Sequence, residues 1–246
     1  MAEKRKFGLS SFTLSVMAMI FMLIDHIWAT IVAGNSWMTC IGRLAFPIFA
    51  FMISEGYFHT KDFKKYMKRL VIFALISEIP FNSITGGSII YPFNQNVMWT
   101  FVIGLSLIHL NEKMRKKGKL WITILTAIGT VILGGFLGTL AMVDYKGAGV
   151  LTVLTFYFFR QKKWWSYVAQ FLTLYYLNVE MLGGLFYEVM IFGTKVLISQ
   201  QGFALFALIP IWLYDGRKGY SSKKYQYFKY WFYPAHMAIL YLLAMF

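Results

Sequence analysis

The sequence predicts an all-α bundle of transmembrane helices, and three observations lead to this prediction. Hydrophobic residues make up 59% of the 246 residues, whereas soluble domains average about 45 to 50%. Apolar runs long enough to span a bilayer, which takes about 20 helical residues, recur along the chain. The 24 Lys and Arg residues cluster between these runs, as the positive-inside rule expects of cytoplasmic loops. We therefore expect one integral domain over residues 1–246, in a multi-pass protein of the cell membrane.

Nine spans are predicted, and their directions follow from the charges at their ends. In order, they cover residues 8–32, 36–58, 67–84, 96–110, 120–143, 147–159, 164–178, 202–214 and 230–246. The first span follows the basic residues 1–6 and is too long for a signal-peptide core, so it is expected to remain. Basic clusters follow the second, fourth and sixth spans, at 61–69, 112–119 and 160–163, whereas the loop 85–95 carries no charge. The spans therefore alternate in direction, starting from a cytoplasmic amino terminus.

The region between residues 181 and 214 leaves the count open. Two spans there would put the basic tract 217–229 outside, whereas one span keeps that tract inside. We therefore predict the eighth span over 202–214 and a re-entrant or interfacial helix over 183–199. Irregular backbone at membrane depth requires cover from protein or a cavity, so this segment is a candidate wall of the site. Two true spans remain the alternative, and the count ranges from eight to ten.

The first span contains Asp25 and His26 in an otherwise apolar run. A buried Asp costs on the order of 2.5 to 3.5 kcal/mol by insertion scales, so the pair is expected to have a structural or a chemical role. A structural pair would be satisfied by neighbouring helices. In a chemical role, a neutral His beside a carboxylate is a common general base, and the same groups line proton paths in transporters.

Other polar residues fall at the same outer depth as Asp25 and His26, because helices rise about 1.5 Å per residue and each direction is assigned. These residues are Arg43, Glu78, Asn96, Thr100 and Asp144. Arg43 is expected to pair with Asp25 or Glu78. Pro47 removes the hydrogen bond to the Arg43 carbonyl, which predicts a bend that opens space for a ligand. Several helices thus bring polar groups to one level.

Two further ionisable residues are assigned to the inner side of the membrane. Glu55 lies near the inner end of the second span, with Lys61 or Lys64 as its expected partner. His236 follows Pro234 near the inner side of the ninth span. It is interpreted either as a second functional imidazole or as a histidine bonded to a freed helix carbonyl.

Composition also restricts the expected partners. The basic residues lie in loops between apolar runs, so we expect them to meet anionic lipid head groups rather than nucleic acid. Cys40 is the single cysteine, and the four histidines are scattered. No disulfide and no metal site is therefore expected.

Several strings, spread from the first span to the last, resemble those of the TraX family. They are MLIDHI at 22–27, IGRLAFPIFAF at 41–51, EG at 55–56, RL at 69–70, FALISEIPF at 73–81, NV at 96–97 with Thr100, DY at 144–145, GVL at 149–151 and FYPAH at 232–236. The family is named for a protein that acetylates the N-terminal amine of pilin in conjugative plasmids. It resembles a wider group of polytopic acyltransferases that use acyl-CoA. The resemblance implies that His26 is catalytic and that Arg43 is its polar neighbour. The chain departs from the family at Glu78, where Gln or a similar residue is usual, and in Asp-Tyr-Lys-Gly at 144–147, where Asp-Tyr-Gly is common.

Together with the polar residues, the resemblance implies a membrane acyltransferase that moves an acetyl group from acetyl-CoA to an amine or hydroxyl acceptor, such as a protein N-terminus or a small molecule. His26 is expected to take the acceptor's proton while Asp25 orients its ring. Arg43, Asn96 or backbone donors would stabilise the oxyanion. Donor and acceptor binding is assigned to Glu55, Glu78, Asn96, Thr100, Asp144 and His236, with Lys61, Lys64, Arg69 and Arg160 meeting the CoA phosphates.

The alternative function is a proton- or ion-coupled transporter. Such a protein would use the same buried Asp, His, Arg and Glu side chains as a relay. Two observations weigh against it: the sequence has no internal repeat of the kind that many transporters show, and its strings resemble those of acyltransferases.

Overall fold

The computed structural model describes residues 8–32 and 34–245, which form helices and one β-hairpin. The helices are α1 (Ser11–Thr30), α2 (Ser36–Gly42), α3 (Ala45–His59), α4 (Phe63–Thr85), α5 (Val97–Arg115), α6 (Leu120–Leu140), α7 (Lys146–Phe158), α8 (Trp164–Tyr175), a π-helix (Tyr176–Leu182), a 3₁₀ helix (Gln201–Ala207), α9 (Leu208–Trp212) and α10 (Lys223–Leu243). The strands are β1 (Phe186–Ile191) and β2 (Thr194–Ser199). Each predicted span is helical over most of its length, and the basic residues 1–6 lie outside the described residues.

Among the residues that the structure describes, three helical segments are long and apolar enough to cross a membrane. They are Ser11–Thr30, the α2–α3 pair over Ser36–His59, and Leu120–Leu140. These segments are consistent with a membrane protein, as predicted. Only 11% of the apolar window of α6 is buried within the protein, against 56% of the window over Ser36–His59. In a bilayer, α6 would therefore present most of its surface to lipid.

The segment 183–199 is a β-hairpin, so the predicted re-entrant helix was wrong and the fold is not purely α-helical. β1 and β2 pair antiparallel, with Phe186 opposite Ser199. Phe192 and Gly193 connect them with φ values of 48° and 78°, and two positive φ values in a two-residue loop match the twist of a hairpin. Aromatic and β-branched residues occupy seven of the twelve strand positions, which favours a strand over a helix in a short apolar run.

The second predicted span is interrupted at Arg43 and Leu44, between α2 and α3. The interruption lies where Pro47, which has no N–H, leaves the Arg43 carbonyl without its helical partner. At the same point the Leu44 N–H donates to the Ile41 carbonyl at 3.1 Å, a tighter bond than in an α-helix. Pro47 thus accounts for an interruption between α2 and α3, whereas a bend that opens space for a ligand stays a prediction.

The last helix, α10, begins at Lys223 rather than at residue 230. Ser222 caps it, because its hydroxyl accepts a hydrogen bond from the Tyr225 N–H. The earlier start adds about two turns before His236. His236 therefore lies in the middle of the helix, and its predicted position near the inner end was wrong.

Packing of a few elements sets the position of the polar residues. α1 contacts α2, α3 and α10, and α10 also contacts α4. The loop before α5 pairs with the turn before α7, because Gln95 N–H donates to the Met142 carbonyl at 2.9 Å and Asp144 N–H donates to the Gln95 carbonyl at 2.8 Å. The starts of α5 and α7 are thereby held together.

Candidate functional site

Two histidines from opposite ends of the sequence meet where α1 packs on α10. His26 Nδ1 lies 2.6 Å from His236 Nε2, and the two rings are nearly parallel with centroids 4.8 Å apart. His236 is buried, with 6% of its surface exposed, whereas His26 is only partly buried. His26 is therefore the member of the pair that keeps an accessible surface, and His236 lies behind it.

Asp25 faces Arg43 and not His26. Asp25 Oδ1 lies 3.7 Å from an Arg43 guanidinium nitrogen, and that guanidinium donates to the Thr39 hydroxyl at 2.9 Å. Residues adjacent in a helix do not share a face, so the carboxylate cannot lie along the His26 ring. The prediction that Asp25 orients His26 was wrong, whereas the expected pairing of Asp25 with Arg43 is confirmed.

Gly42 allows α1 and α2 to approach each other closely enough for Asp25 to face Arg43. A Cβ atom on Gly42 would lie 2.3 Å from the Asp25 Cβ and 2.5 Å from its Cγ. Real Cβ atoms do not approach that closely, so only glycine fits this position without movement of a helix. The glycine immediately before Arg43 therefore sets the distance between the two helices.

The turn before α7 brings Asp144 and Tyr145 to the same guanidinium. The Arg43 charge acts on both residues, and the Tyr145 hydroxyl is a hydrogen-bond partner of Arg43. Tyr145 has a left-handed φ of 59°, its ring stacks on Phe46 at 4.1 Å between centroids, and its N–H donates to Asp144 Oδ1. Thr100 holds the turn, because its hydroxyl donates to the Asp144 carbonyl at 2.7 Å. Asp144 thus lies beside Arg43 and Thr100 holds its turn, while Tyr145 was missed as a site residue.

Glu78 and Asn96 form a separate cluster at the start of α5. Glu78 Oε1 accepts from the Asn96 N–H at 3.2 Å, from Asn96 Nδ2 at 2.5 Å and from Trp99 Nε1 at 2.8 Å. Asn96 also caps α5, since its Oδ1 accepts from the Met98 N–H at 3.0 Å. Glu78 is therefore fixed in this cluster, and its alternative pairing with Arg43 is wrong.

A cavity of about 450 Å³ lies between α1, α3, α4, α5 and α10. Along α1 its lining runs from Ser11 to Met22, which is roughly 16 Å at the helix rise of about 1.5 Å per residue. Its wall is largely apolar and includes four methionines, Met19, Met22, Met52 and Met98. Unbranched, flexible methionines adapt to guests of irregular shape.

One end of the cavity lies beside the histidine pair. Met22, Phe232 and Tyr233 line that end, and Met22 and Phe232 each lie one helical turn before a histidine. The Phe232 ring stacks on His236 with centroids 4.9 Å apart, and the Tyr233 and His26 centroids are 6.4 Å apart. The cavity therefore ends at side chains that contact the two imidazoles, but neither His26 nor His236 belongs to its described lining.

The other end of the cavity is basic, but only one of its three cations was predicted. Arg69 lines it as expected, together with Lys218 and Lys229, which belong to a basic tract that sequence reasoning used only for topology. Lys61 and Lys64 are exposed on the surface near the start of α4 and do not belong to the described lining.

Glu55 lines the cavity but pairs with Arg160 instead of Lys61 or Lys64. Arg160 Nε donates to Glu55 Oε1 at 2.6 Å, and a terminal guanidinium nitrogen donates to Oε2 at 3.2 Å. This is the bidentate geometry that suits a guanidinium and a carboxylate. Arg160 is therefore engaged by Glu55, and it is absent from the described lining of the cavity.

The loop at the basic end is ordered by Asp215. Its carboxylate accepts from the Arg217 N–H and side chain, and its own N–H donates to the Leu9 carbonyl at 3.1 Å. The hydrogen bond from the Arg217 side chain holds the pKa of Asp215 below its usual range. The carboxylate thus orders the loop that carries Lys218, and the Asp215 N–H ties that loop to the chain just before α1.

Comparison with known proteins identifies similar chains. A family model described as "TraX protein" matches residues 10–244. The chain is also 27% identical, over 250 residues and 96% of each chain, to the probable fimbrial assembly protein FimC, serogroup H1, of Dichelobacter nodosus. No solved structure matches the chain.

Proposed function

The chain belongs to the TraX family, and on this premise we propose that it is a membrane acyltransferase that moves an acetyl group from acetyl-CoA to an amine or hydroxyl. The observation that carries the proposal is the cavity that runs from a basic end to Phe232 and Tyr233, the aromatic side chains next to the His26–His236 pair. A fimbrial assembly protein among its relatives favours the N-terminal amine of a pilin-like protein as the acceptor.

The cavity suits the acyl donor. CoA carries phosphates at one end and a thioester at the other, joined by a long flexible arm. Arg69, Lys218 and Lys229 at the basic end are suitable partners for the phosphates. The volume of about 450 Å³ is within the range of about 300 to 1,000 Å³ that is usual for ligand pockets. In this arrangement the arm fills the apolar part, and the thioester lies beside the histidines.

His26 is the general base of the proposed reaction. It removes a proton from the attacking amine or hydroxyl as the new bond to the thioester carbonyl carbon forms. The tetrahedral intermediate then expels the CoA thiolate, and the protonated His26 returns the proton to that sulfur. Arg43 is the candidate oxyanion donor, because its buried Nε has no hydrogen-bond partner among the described residues.

The proposed topology has nine spans with the amino terminus in the cytoplasm. It puts Arg69, Lys218 and Lys229 on the cytosolic side, which is where acetyl-CoA is available. Besides the three apolar segments, helices such as α4 and α10 carry charges only at their basic ends apart from Glu78. Buried polar groups on the interior faces lower the mean hydropathy of such helices without preventing a crossing.

The test uses purified protein in detergent with acetyl-CoA and a peptide that has a free N-terminal amine. We expect acetylated peptide and one free thiol for each acetyl group transferred. His26→Gln should lower kcat by about 10² to 10⁴-fold, the contribution of general-base catalysis. The matched control is His109→Gln, whose ring stacks on Phe63 at 3.9 Å between centroids, apart from the cavity.

The transporter alternative is favoured by one observation, the partly buried cluster of Asp25, Arg43 and Asp144. The same preparation distinguishes the two functions. Protein that releases no thiol, acetylates no peptide and moves protons across liposomes would be a transporter, and the acyltransferase proposal would be abandoned.

A further inference from the structure

We propose that His236 is a positioning residue that holds His26 in the tautomer with its proton on Nδ1 and a free lone pair on Nε2. The inference rests on the proposed function for the meaning of that lone pair, but not for the tautomer itself. It starts from a contact that general-base chemistry by His26 alone leaves unexplained, a second imidazole at hydrogen-bond distance.

The chain of contacts fixes the protons from one end. His236 Nδ1 lies 2.6 Å from the Phe232 carbonyl oxygen, and a carbonyl oxygen only accepts hydrogen bonds. His236 Nδ1 must therefore carry a hydrogen. A neutral imidazole has one N–H, so the Nε2 atom of His236 has none and must accept.

The same reasoning then passes to His26. Its Nδ1 lies 2.6 Å from the accepting Nε2 of His236, so His26 Nδ1 is the donor. In a neutral ring this leaves His26 Nε2 unprotonated, which is the state a general base requires. The Phe232 carbonyl thus determines, through two imidazoles, which nitrogen of His26 is basic.

Burial and neighbours make this arrangement stable. His236 is 6% exposed, so water has little access to compete for its Nε2. Phe232 and His236 lie one turn apart on α10, and their contact is therefore held by the helix itself. Asp25, the carboxylate nearest in sequence, lies 3.7 Å from Arg43 on a different face of α1 from His26, so it does not offer His26 an alternative acceptor.

His236 thus accepts the hydrogen bond from the second nitrogen of the general base, a role that a carboxylate has in many catalytic dyads. When His26 accepts a proton on Nε2, the Nδ1–H bond to His236 becomes charge-assisted and strengthens. A neutral imidazole provides this without placing a second charge in the helix interior, where a lone carboxylate would be costly. The stronger hydrogen bond stabilises the imidazolium that forms during the reaction. Loss of His236 should therefore lower kcat and leave donor binding unchanged.

The tautomer is measured directly by NMR of protein with ¹⁵N-labelled histidine in micelles. The chain has four histidines, so the spectrum contains four sets of imidazole signals. The variants His59→Gln and His109→Gln assign the two sets that do not belong to the His26–His236 pair. We expect both His26 and His236 to be protonated on Nδ1 and bare on Nε2. A His26 ring protonated on Nε2 in the unmodified protein would overturn the inference. The NMR measurement does not depend on enzymatic activity.

Two substitutions test the role of His236 in the reaction. In His236→Met the acceptor is lost, so His26 should shift towards the Nε2–H tautomer and kcat should fall while the apparent KM for acetyl-CoA stays nearly constant. In His236→Gln the amide oxygen can accept from His26, so both the tautomer and part of kcat should recover. We expect the loss of kcat in His236→Met to be smaller than the about 10² to 10⁴-fold loss in His26→Gln.

The outcomes separate this inference from the proposed function. If no acetyl transfer is found but the tautomers are as stated, the proposed function fails and the positioning by His236 stands. If transfer depends on His26 while His236→Met keeps both the tautomer and kcat, the inference is wrong and the proposed function stands.

Discussion

Gly42→Ala perturbs the contact between α1 and α2 on which the Asp25–Arg43 pair depends. The new Cβ would lie 2.3 Å from the Asp25 Cβ and 2.5 Å from its Cγ and Oδ1. The Asp25 Cβ is fixed to the α1 backbone and cannot swing away, so the helices must move apart. We expect both a loss of stability and a displacement of Asp25 from Arg43.

The magnitude follows from two opposing terms. Overpacking costs about 1 to 3 kcal/mol, and replacing glycine by alanine inside a helix gains about 0.5 to 1 kcal/mol. Because the clash involves an immobile atom, the upper part of the range applies, and the net loss is about 2 kcal/mol. For a chain of this length a loss of that size lowers Tm by about 4 to 8 °C.

The assay is thermal unfolding of purified protein in detergent, with Gly129→Ala as the matched control. A Cβ on Gly129, in α6, meets nothing within 4 Å, so only the gain in helix propensity should remain and Tm should rise slightly. An unchanged or higher Tm for Gly42→Ala would refute the close approach of α1 to α2. Acetyl transfer by Gly42→Ala should fall as well, since Asp25 and His26 belong to the same helix.

Three other predictions follow from the same geometry. Glu78→Gln should leave the free energy of unfolding within about 1 kcal/mol of the original value, because all three donors converge on one oxygen that an amide also provides, whereas Glu78→Ala should lower Tm clearly. Arg69→Gln should raise the apparent KM for acetyl-CoA with little change in kcat, the signature of lost uniform binding, and Lys61→Gln, outside the cavity, should change neither. A reporter fused after Lys119 should be cytoplasmic and one at 86–88 external, and the opposite result at Lys119 would contradict the proposed topology.

Counting residues along helices predicted the convergence of polar groups correctly where the helix ends were correct. Asp25, Arg43, Thr100 and Asp144 meet as expected, because helix rise is regular and the charge pattern gave each helix its direction. The same counting failed for His236. The residues before 230 are basic and aromatic and were interpreted as a loop, but Ser222 caps them into α10.

Other features depended on contacts that one-dimensional patterns do not contain. Short apolar runs fit a buried helix and a strand equally well, so the hairpin at 186–199 was missed. Adjacent positions in a sequence suggested that Asp25 serves His26, although a helix directs them to different faces. The partner of His26 comes instead from α10, 210 positions along the chain, and only the packing of the first helix on the last one brings it there.

The most direct test of the central claim is a structure of the protein with bound acetyl-CoA. The claim is that the cavity carries the acyl donor from a basic end to the histidine pair. We expect the phosphates among Arg69, Lys218 and Lys229, the flexible arm along the methionine-lined wall, and the thioester next to His26. A donor bound on another face, or an arm that stays outside the cavity, would contradict the claim.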